Sequence, residues 1–195
     1  MHKNGTDLIG CRYQISVLRD DFVPRVLDAL GKTNIEKVWA KTEKTSTVYR
    51  GKRVHVVDCV KACFSHIYDD SLPYITVAAA FSKNSSDDME KDCHIAEDEV
   101  LLNDTKHAFY VLGRMSLFPL GISDYALHIA AMTDLAKKRG VYAGEAYYTH
   151  NFEGNVHDMF DFINDVLEYG NANLENYTFD ISMTIYGAEG KESVT

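Results

Sequence analysis

The sequence is a tandem duplication, and this feature constrains the fold more than any other. An offset of 103 positions carries Asp21 onto Asp124 and Gly51 onto Gly154 without a gap. The same offset aligns two apolar stripes with the spacing i, i+1, i+4, i+7, i+8, which is typical of a helix that buries one face. The stripes are Val56, Val57, Val60, Cys63 and Phe64 in the first copy, and Met159, Phe160, Ile163, Val166 and Leu167 in the second. We therefore expect two copies of one structural unit.

Each copy contains the same six predicted elements: an alternating strand, a helix, two extended runs, a second helix and a final alternating strand. In the first copy they span 11–18, 21–30, 37–43, 45–50, 53–68 and 75–81. In the second copy they span 114–120, 124–138, 141–148, 149–153, 156–170 and 179–185. The first helix of each copy begins at an N-cap candidate, Asp21 in one copy and Ser123 or Asp124 in the other.

The order β-α-β-β-α-β, found twice, restricts the topology. Right-handed crossover connections leave the split-βαβ ferredoxin-like fold as the compact solution, with both helices on one face of an antiparallel sheet. We therefore predict an α+β protein in which ferredoxin-like units span 9–82 and 108–187. The segment 83–107 is acidic and rich in Ser and Asn, and we interpret it as a linker that folds back over a surface.

The strand patterns also predict a second apolar surface. Tyr13, Trp39 and Tyr49 are large aromatic residues that we do not expect the helix-covered face to accommodate together. A sheet with one exposed apolar face usually packs against another sheet. We therefore expect that the two repeats stack or that the chain dimerises, and we favour a homodimer.

Charge and composition argue against several kinds of partner. The formal net charge is −9, whereas nucleic acids and anionic membrane surfaces attract clusters of Lys and Arg. No apolar stretch approaches the roughly 18 residues that span a bilayer, and no secretory signal is visible. We therefore expect a cytoplasmic protein with no membrane insertion and no nucleic-acid partner.

The four cysteines, Cys11, Cys59, Cys63 and Cys93, show no CxxC spacing. Cys59 and Cys63 are four positions apart, which places them on one face of a helix. We interpret them as small buried residues and not as thiolate ligands of a metal. Reduced thiols are expected in the cytoplasm, and we predict neither a metal site nor another cofactor.

No catalytic arrangement is visible either. The sequence has no GxSxG motif, no P-loop and no GxGxxG between a strand and a helix, so we predict a binding protein and not an enzyme. The candidate binding residues lie in the second strand of each central hairpin, Ser46 and Thr47 in one copy and Thr149 and His150 in the other. A buried hydroxyl or imidazole needs a partner, which a ligand would supply. The alternative is that these groups bond the backbone or face water.

Three further pairs of equivalent residues are candidates, each with two interpretations. The pair of opposite charge either lines pockets of different specificity or ends the hairpins in solvent. The pair of aspartates either caps helices or contacts an amino-heterocycle. The aromatic pair either packs in a core or interface, or stacks on a flat ligand. In that order the pairs are Arg50 and Glu153, Asp21 and Asp124, and Trp39 and Tyr142.

Several of these segments together resemble the YkoF family of thiamine- and hydroxymethylpyrimidine-binding proteins. In the first copy the run Lys-Val-Trp-Ala-Lys-Thr-Glu is followed, after one residue, by Thr-Ser-Thr-Val-Tyr-Arg-Gly. In the second copy Ser-Leu-Phe-Pro-Leu precedes Asp-Tyr, and Gly-Asn-Val-His-Asp opens the last helix. These segments are 20–22, 37–43 and 45–51 in one copy and 116–120, 124–125 and 154–158 in the other. The likeness extends over about residues 9–186.

The resemblance implies a dimer of tandem ferredoxin-like domains, each of which holds the aminopyrimidine part of thiamine. It also implies an association with components of an ABC-type transporter that takes up thiamine or hydroxymethylpyrimidine. The residues at the matching positions are Asp21, Ser46, Thr47 and Arg50 in the first copy, and Asp124, Thr149, His150 and Glu153 in the second. Two alternatives stay open: an ACT-like regulatory sensor of another small molecule, and an enzyme on the same fold.

Overall fold

A computed structural model describes residues 7–71, 74–83, 96 and 98–186. The first copy forms β1 (Leu8–Val17), α1 (Phe22–Lys32), β2 (Trp39–Thr42), β3 (Thr47–Lys52), α2 (Arg53–Ile67) and β4 (Tyr74–Lys83). The second forms β5 (Tyr110–Leu120), α3 (Tyr125–Arg139), β6 (Tyr142–Ala146), β7 (Thr149–Asn155), α4 (Val156–Asn173) and β8 (Asn176–Tyr186). Both copies have the predicted order, so the predicted fold class is confirmed. Cys93, most of the predicted linker and residues 187–195 lie outside the described residues.

The strands form one eight-stranded antiparallel sheet in the order β2-β3-β1-β4-β8-β5-β7-β6. The repeats join edge to edge, because β4 pairs with β8 from Tyr74 opposite Tyr186 to Lys83 opposite Tyr177. The expectation of two sheets stacked within the chain is therefore wrong. Pairing β4 with β8 satisfies the backbone N–H and C=O groups of two long strands that would otherwise be sheet edges.

A pseudo-two-fold axis relates the repeats and passes through the pair Ala79–Ile181. Ala79 is the cross-strand partner of Tyr13, Ile181 is the partner of Met115, and Ala79 and Ile181 face each other. Tyr13 and Met115 are therefore equivalent, at an offset of 102 instead of 103. The offset changes because β5 has 11 residues and β1 has 10, the extra residue preceding the helix.

Alternate strand residues face a layer of helices and form the core. On the central strands these are Ile75, Val77 and Phe81 of β4 and Phe179 and Met183 of β8, all fully buried. Helices α2 and α4 contribute the apolar stripes that the sequence predicts, because residues spaced three and four apart share one helix face. None of the helices in the described ranges is long and apolar enough to cross a membrane.

The placement of two tyrosines corrects a prediction. Tyr13 and Tyr49 do not form a second apolar surface, because both rings point into the helix layer, where they are 3% and 1% exposed. Their hydroxyls lie 2.8 Å apart in a hydrogen bond, and Cys59 and Cys63 of α2 lie close to them. Cysteine side chains are small, and they leave room above the strands for two phenol rings.

The other face of the sheet carries no helix within the described part of the chain, and its centre is small and polar instead of apolar. Ladders of hydroxyls cross between β4 and β8, where Thr76 bonds Thr184 and Ser82 bonds Thr178. Trp39 lies half-buried on this open face. Its cross-strand partner Arg50 is next to Tyr49 in β3, and because Tyr49 faces the helices, Arg50 and Trp39 face away from them. Of the three aromatic residues in that prediction, Trp39 alone lies on the open face.

The described end of the predicted linker runs along the first repeat. Lys37 Nζ donates to the Val100 carbonyl at 2.7 Å, and its ammonium also pairs with Asp98. His55 Nε2 lies 2.8 Å from the Asp98 carbonyl, and Asn103 Nδ2 donates to Asp58 at 2.8 Å. These contacts fix residues 98–103 against α2 and the start of β2.

Candidate functional site

A cleft of about 220 Å³ lies between α1 and the hairpin that joins β2 to β3. Apolar residues of α1 at the spacing i, i+1, i+4, i+5, i+8 form one wall; they are Phe22, Val23, Val26, Leu27 and Leu30. This spacing places them on one helix face. That face is incompletely covered by the sheet, because Phe22, Val23 and Leu27 are 47%, 50% and 59% exposed. An apolar ring in the cleft would cover it.

The opposite wall offers hydroxyls, and the charged residues Glu43 and Lys44 of the hairpin also line the cleft. Thr47 is buried, and its Oγ1 lies 3.2 Å from the Oγ1 of its cross-strand partner Thr42. Tyr13 is the partner of Thr47 on the other side, so the three side chains share one face of the sheet. A hydroxyl can donate one hydrogen bond and accept two, so these residues retain capacity for a ligand. The cleft can therefore hold a flat ring and read its polar edge.

The floor of the cleft carries no ionised group. Burial raises the pKa of the Tyr13 hydroxyl far above its ordinary value, and burial also raises the pKa of the Cys63 thiol. Both groups are therefore protonated at neutral pH, and a thiol must be a thiolate to act as a nucleophile. The chemistry available at this floor is hydrogen bonding and apolar contact.

The structure separates the predicted residues of the first copy. Thr47 lines the cleft, and Ser46 lies at its rim, where Arg12 Nη1 donates to its Oγ at 2.7 Å. Arg50 lies on the open face of the sheet, opposite the cleft, because residues alternate along β3. Its cross-strand partner Trp39 shares that face.

The prediction that the side chains of Asp21 and Asp124 accept hydrogen bonds from the helix backbone is wrong. Asp21 occupies the N-cap position of α1, but its carboxylate accepts hydrogen bonds from Arg19 at 3.0 Å and Arg25 at 2.9 Å and not from the helix backbone. The bond from Arg25, followed by the charge of Arg19, lowers the pKa of Asp21. Asp124 occupies the N-cap position of α3, also without a side-chain cap bond. The arginines compete with the backbone for Asp21.

The second copy separates its candidates in the same way. His150 points into the helix layer, as the partner of Met115, with its ring 6.4 Å from that of Phe152. Thr149 points to the open face, where its Oγ1 lies 3.0 Å from Ser116 Oγ. Glu153 also lies on the open face, as the partner of Leu112.

Trp39 and Tyr142 are equivalent in sequence but lie on different faces. A β-bulge interrupts the pairing of β6 with β7 between Tyr142 and Gly144, and Gly144 has φ +112°. The bulge turns the Tyr142 ring toward the helix side, where Lys137 Nζ lies 5.3 Å above it. A bulge re-aims side chains in this manner.

Sequence reasoning missed several cleft residues. Thr42 could have been found as the cross-strand partner of Thr47. The α1 wall is visible as an apolar stripe, but the sequence does not show that the sheet leaves that stripe partly uncovered. Tyr13 was predicted on the wrong face of the sheet, because a ring of its size was not expected to fit beneath the helices.

A second, shallower cavity of about 570 Å³ lies on the open face near the pseudo-two-fold axis. The equivalent residues Arg12 and Arg114 flank it, and Ala78, Ala80 and Asp180 contribute to its floor. Arg12 is held by Glu43 at 2.9 Å, and burial raises the pKa of Asp180. This trough combines small apolar side chains with charged and hydroxyl groups and is continuous across the two repeats.

Comparison with known proteins matches the duplicated architecture. The YkoF-related family model matches residues 8–88 and again residues 111–187, one match for each repeat. The chain belongs to the YkoF-related family. Among relatives in this family is a protein of Bacillus subtilis (strain 168) named "Putative HMP/thiamine-binding protein YkoF". It is 30% identical over 192 residues, which cover 94% of this chain and 92% of that protein.

Proposed function

We propose that this chain binds thiamine or its hydroxymethylpyrimidine (HMP) precursor without catalysing a reaction, in the cytoplasm. The aminopyrimidine ring occupies the cleft between α1 and the β2–β3 hairpin. The bound ligand is exchanged with components of an ABC-type uptake system. The name of the Bacillus subtilis relative supports the ligand class.

The observation that carries the proposal is the composition of the cleft. An aminopyrimidine is a flat ring with an apolar surface and an edge of donors and acceptors. The α1 wall is apolar, and Tyr13, Thr42 and Thr47 place hydroxyls on the facing strands. The volume of about 220 Å³ is below the roughly 300–1,000 Å³ typical of pockets for drug-sized ligands. It suits one ring better than a larger molecule.

We also propose a homodimer. The open face spans eight strands, and its centre consists of small side chains such as Ala78 and Ala80 that allow a close approach. An uncovered sheet face of this size commonly packs against another sheet. Sedimentation equilibrium over a range of protein concentrations tests the proposal, and a mass equal to one chain throughout that range would contradict it.

Isothermal titration with HMP and with thiamine tests the proposed site. We expect Thr47→Val, which keeps the shape and removes the hydroxyl, to weaken HMP binding by roughly 5- to 100-fold, because a buried polar group of the ligand loses its partner. The matched control is Thr76→Val. It breaks a similar pair of threonine hydroxyls on the open face, where Thr76 Oγ1 lies 3.1 Å from Thr184 Oγ1.

Unchanged HMP affinity in Thr47→Val would contradict the assigned site. Absence of binding of both ligands to the unmodified chain would contradict the function. Binding of an amino acid in their place would favour the ACT-like sensor. Thermal unfolding of both variants shows whether any lost affinity reflects a lost fold.

A further inference from the structure

The tip of the β2–β3 hairpin separates the two cavities of the first repeat. Lys44 lines the cleft beside α1, whereas Thr45 and Ser46 line both the cleft and the trough on the open face. The Glu43 N–H donates to the Ser46 carbonyl at 2.8 Å, and this bond closes the turn. The position of the tip therefore shapes the wall of the cleft that faces α1.

A side chain of β1 holds both ends of this tip. Arg12 Nη1 donates to Glu43 Oε2 at 2.9 Å and to Ser46 Oγ at 2.7 Å. Glu43 follows β2 and Ser46 precedes β3, so one nitrogen atom joins the two strands of the hairpin. Arg12 alternates with the buried Cys11 and Tyr13 and lines the trough, and it is not one of the described residues around the cleft. It therefore contacts the cleft wall from the other side of the sheet.

The contact with Arg12 also fixes the charge of the tip. The hydrogen bond from Arg12, followed by its positive charge, lowers the pKa of Glu43, so the carboxylate is ionised at neutral pH. An exposed ion pair contributes little to global stability. A hairpin tip closed by one backbone bond can, however, open locally at a small cost in free energy. The bonds from Arg12 oppose this local opening.

The second repeat keeps the arginine but lacks the contact. Arg114 is the equivalent of Arg12 and also lines the trough, yet it makes no hydrogen bond or ion pair with any residue in the described ranges. The positions of the carboxylate and the serine are occupied by Ala146 and Thr149. Thr149 Oγ1 lies 3.0 Å from Ser116 Oγ instead. The two arginines thus form a natural comparison, in which one holds a hairpin and the other does not.

We propose that Arg12 is a positioning residue for ligand binding in the cleft of the first repeat. It holds the hairpin tip in the position that completes the wall opposite α1, so the ligand meets a wall that is already formed. This inference rests on the proposed function and adds to it a residue outside the cleft. Without Arg12 the tip is open in a fraction of the molecules, and the affinity falls in proportion to the closed fraction that remains.

Isothermal titration with HMP measures this effect. Arg12→Gln, which removes the charge and shortens the side chain, should weaken HMP binding by roughly three- to tenfold. Arg12→Lys should recover part of the loss, because an ammonium group can donate to both acceptors. The matched control is Arg114→Gln, which removes the same charge from the same face and should leave the HMP affinity unchanged.

Two outcomes of the titration would overturn the inference and leave the proposed function intact. One is an unchanged HMP affinity in Arg12→Gln, and the other is an equal loss in Arg12→Gln and Arg114→Gln. Absence of HMP and thiamine binding to the unmodified chain would overturn both the inference and the proposed function.

Amide hydrogen exchange of the ligand-free chain tests the cause independently of affinity. Exchange of the Glu43 N–H reports opening of the tip, because that group is bonded to Ser46. We expect this exchange to be at least several-fold faster in Arg12→Gln, since an about threefold loss of affinity requires the open tip to predominate. It should be unchanged in Arg114→Gln, and the amide of the buried Val60 in α2 should exchange equally slowly in both variants. A loss of HMP affinity without faster exchange at Glu43 would contradict the positioning role.

Discussion

Helices α2 and α4 occupy equivalent places in the two repeats, and their inward residues are buried to the same degree. Cys63 and Phe64 of α2 and Val166 and Leu167 of α4 are all fully buried. The paired positions of the central hairpins differ much more, because Thr42 and Thr47 in one repeat correspond to Glu145 and His150 in the other. Core positions accept only changes that preserve volume and apolar character, whereas these hairpin positions can change charge without loss of the fold.

Helices α1 and α3 differ in a related way. The apolar face of α1 is partly uncovered beside the cleft, and α3 has Ala130 and Thr133 where α1 has Leu27 and Leu30. A duplicated fold can thus keep one architecture while the surfaces beside its hairpins diverge. Three experiments can break or sharpen this comparison of the repeats.

The largest expected effect is in the shared core. Phe64→Ala should lower the free energy of unfolding by about 3–5 kcal/mol, and Leu167→Ala by about 2–5 kcal/mol, because each leaves a cavity. Urea denaturation measures both. Because one sheet spans the repeats, we expect each variant to unfold in one transition. The exposed Leu127→Ala, at 68% exposure, is the control and should change stability by less than about 0.5 kcal/mol. Separate transitions for the two repeats would show that their cores are independent.

An effect of about 1 kcal/mol distinguishes the hairpin tips. Tyr148→Gly should raise the free energy of unfolding by roughly that amount, because φ +64° is unfavourable for a residue with a Cβ. Thr45, its first-repeat equivalent, has no positive φ, so Thr45→Gly should be neutral or destabilise by up to about 1 kcal/mol. The two variants are compared in the same urea titration. Equal effects at the two tips would mean that the strain at Tyr148 has no energetic consequence.

The smallest effect concerns the two aspartates that begin α1 and α3. Arg25, followed by Arg19, lowers the pKa of Asp21, so its ionised form stabilises the folded state. That contribution is complete above the ordinary carboxyl value of 3.8 and is lost as the pH falls through the lower folded value. We expect Asp21→Asn to be slightly less stable than the unmodified chain at pH 7, with the difference disappearing in acid.

The second repeat provides the control for this effect. The equivalent of Arg25 is His128, which bonds Tyr169 at 2.9 Å and not Asp124. Asp124→Asn should therefore lower the stability at pH 7 by less than Asp21→Asn does. A loss at pH 7 that persists at low pH in Asp21→Asn would indicate a role other than the ion pair.

Local sequence patterns predict part of the candidate site, whereas the rest depends on contacts between distant segments. Strand alternation alone places Ser46 and Thr47 on opposite faces of the sheet, and likewise Thr149 and His150. Which of the two faces carries the helices is not local information. Arg50 and Glu153 illustrate this, since one of two interpretations of their opposite charges was a difference between pockets, whereas both side chains lie on the open face, away from the helices.

The sequence by itself determined the duplication, the order of the elements and the stripes that form the core, because each depends on periodicity within a short segment. Only the tertiary structure decided that the repeats join through β4 and β8, that Tyr13 points toward α2, and that Thr42 meets Thr47 below α1. These outcomes depend on strand register and on the pairing of backbone groups between segments far apart in the chain. A one-residue shift of register reverses the face of every side chain in a strand, so long-range pairing decides which residues form the cleft.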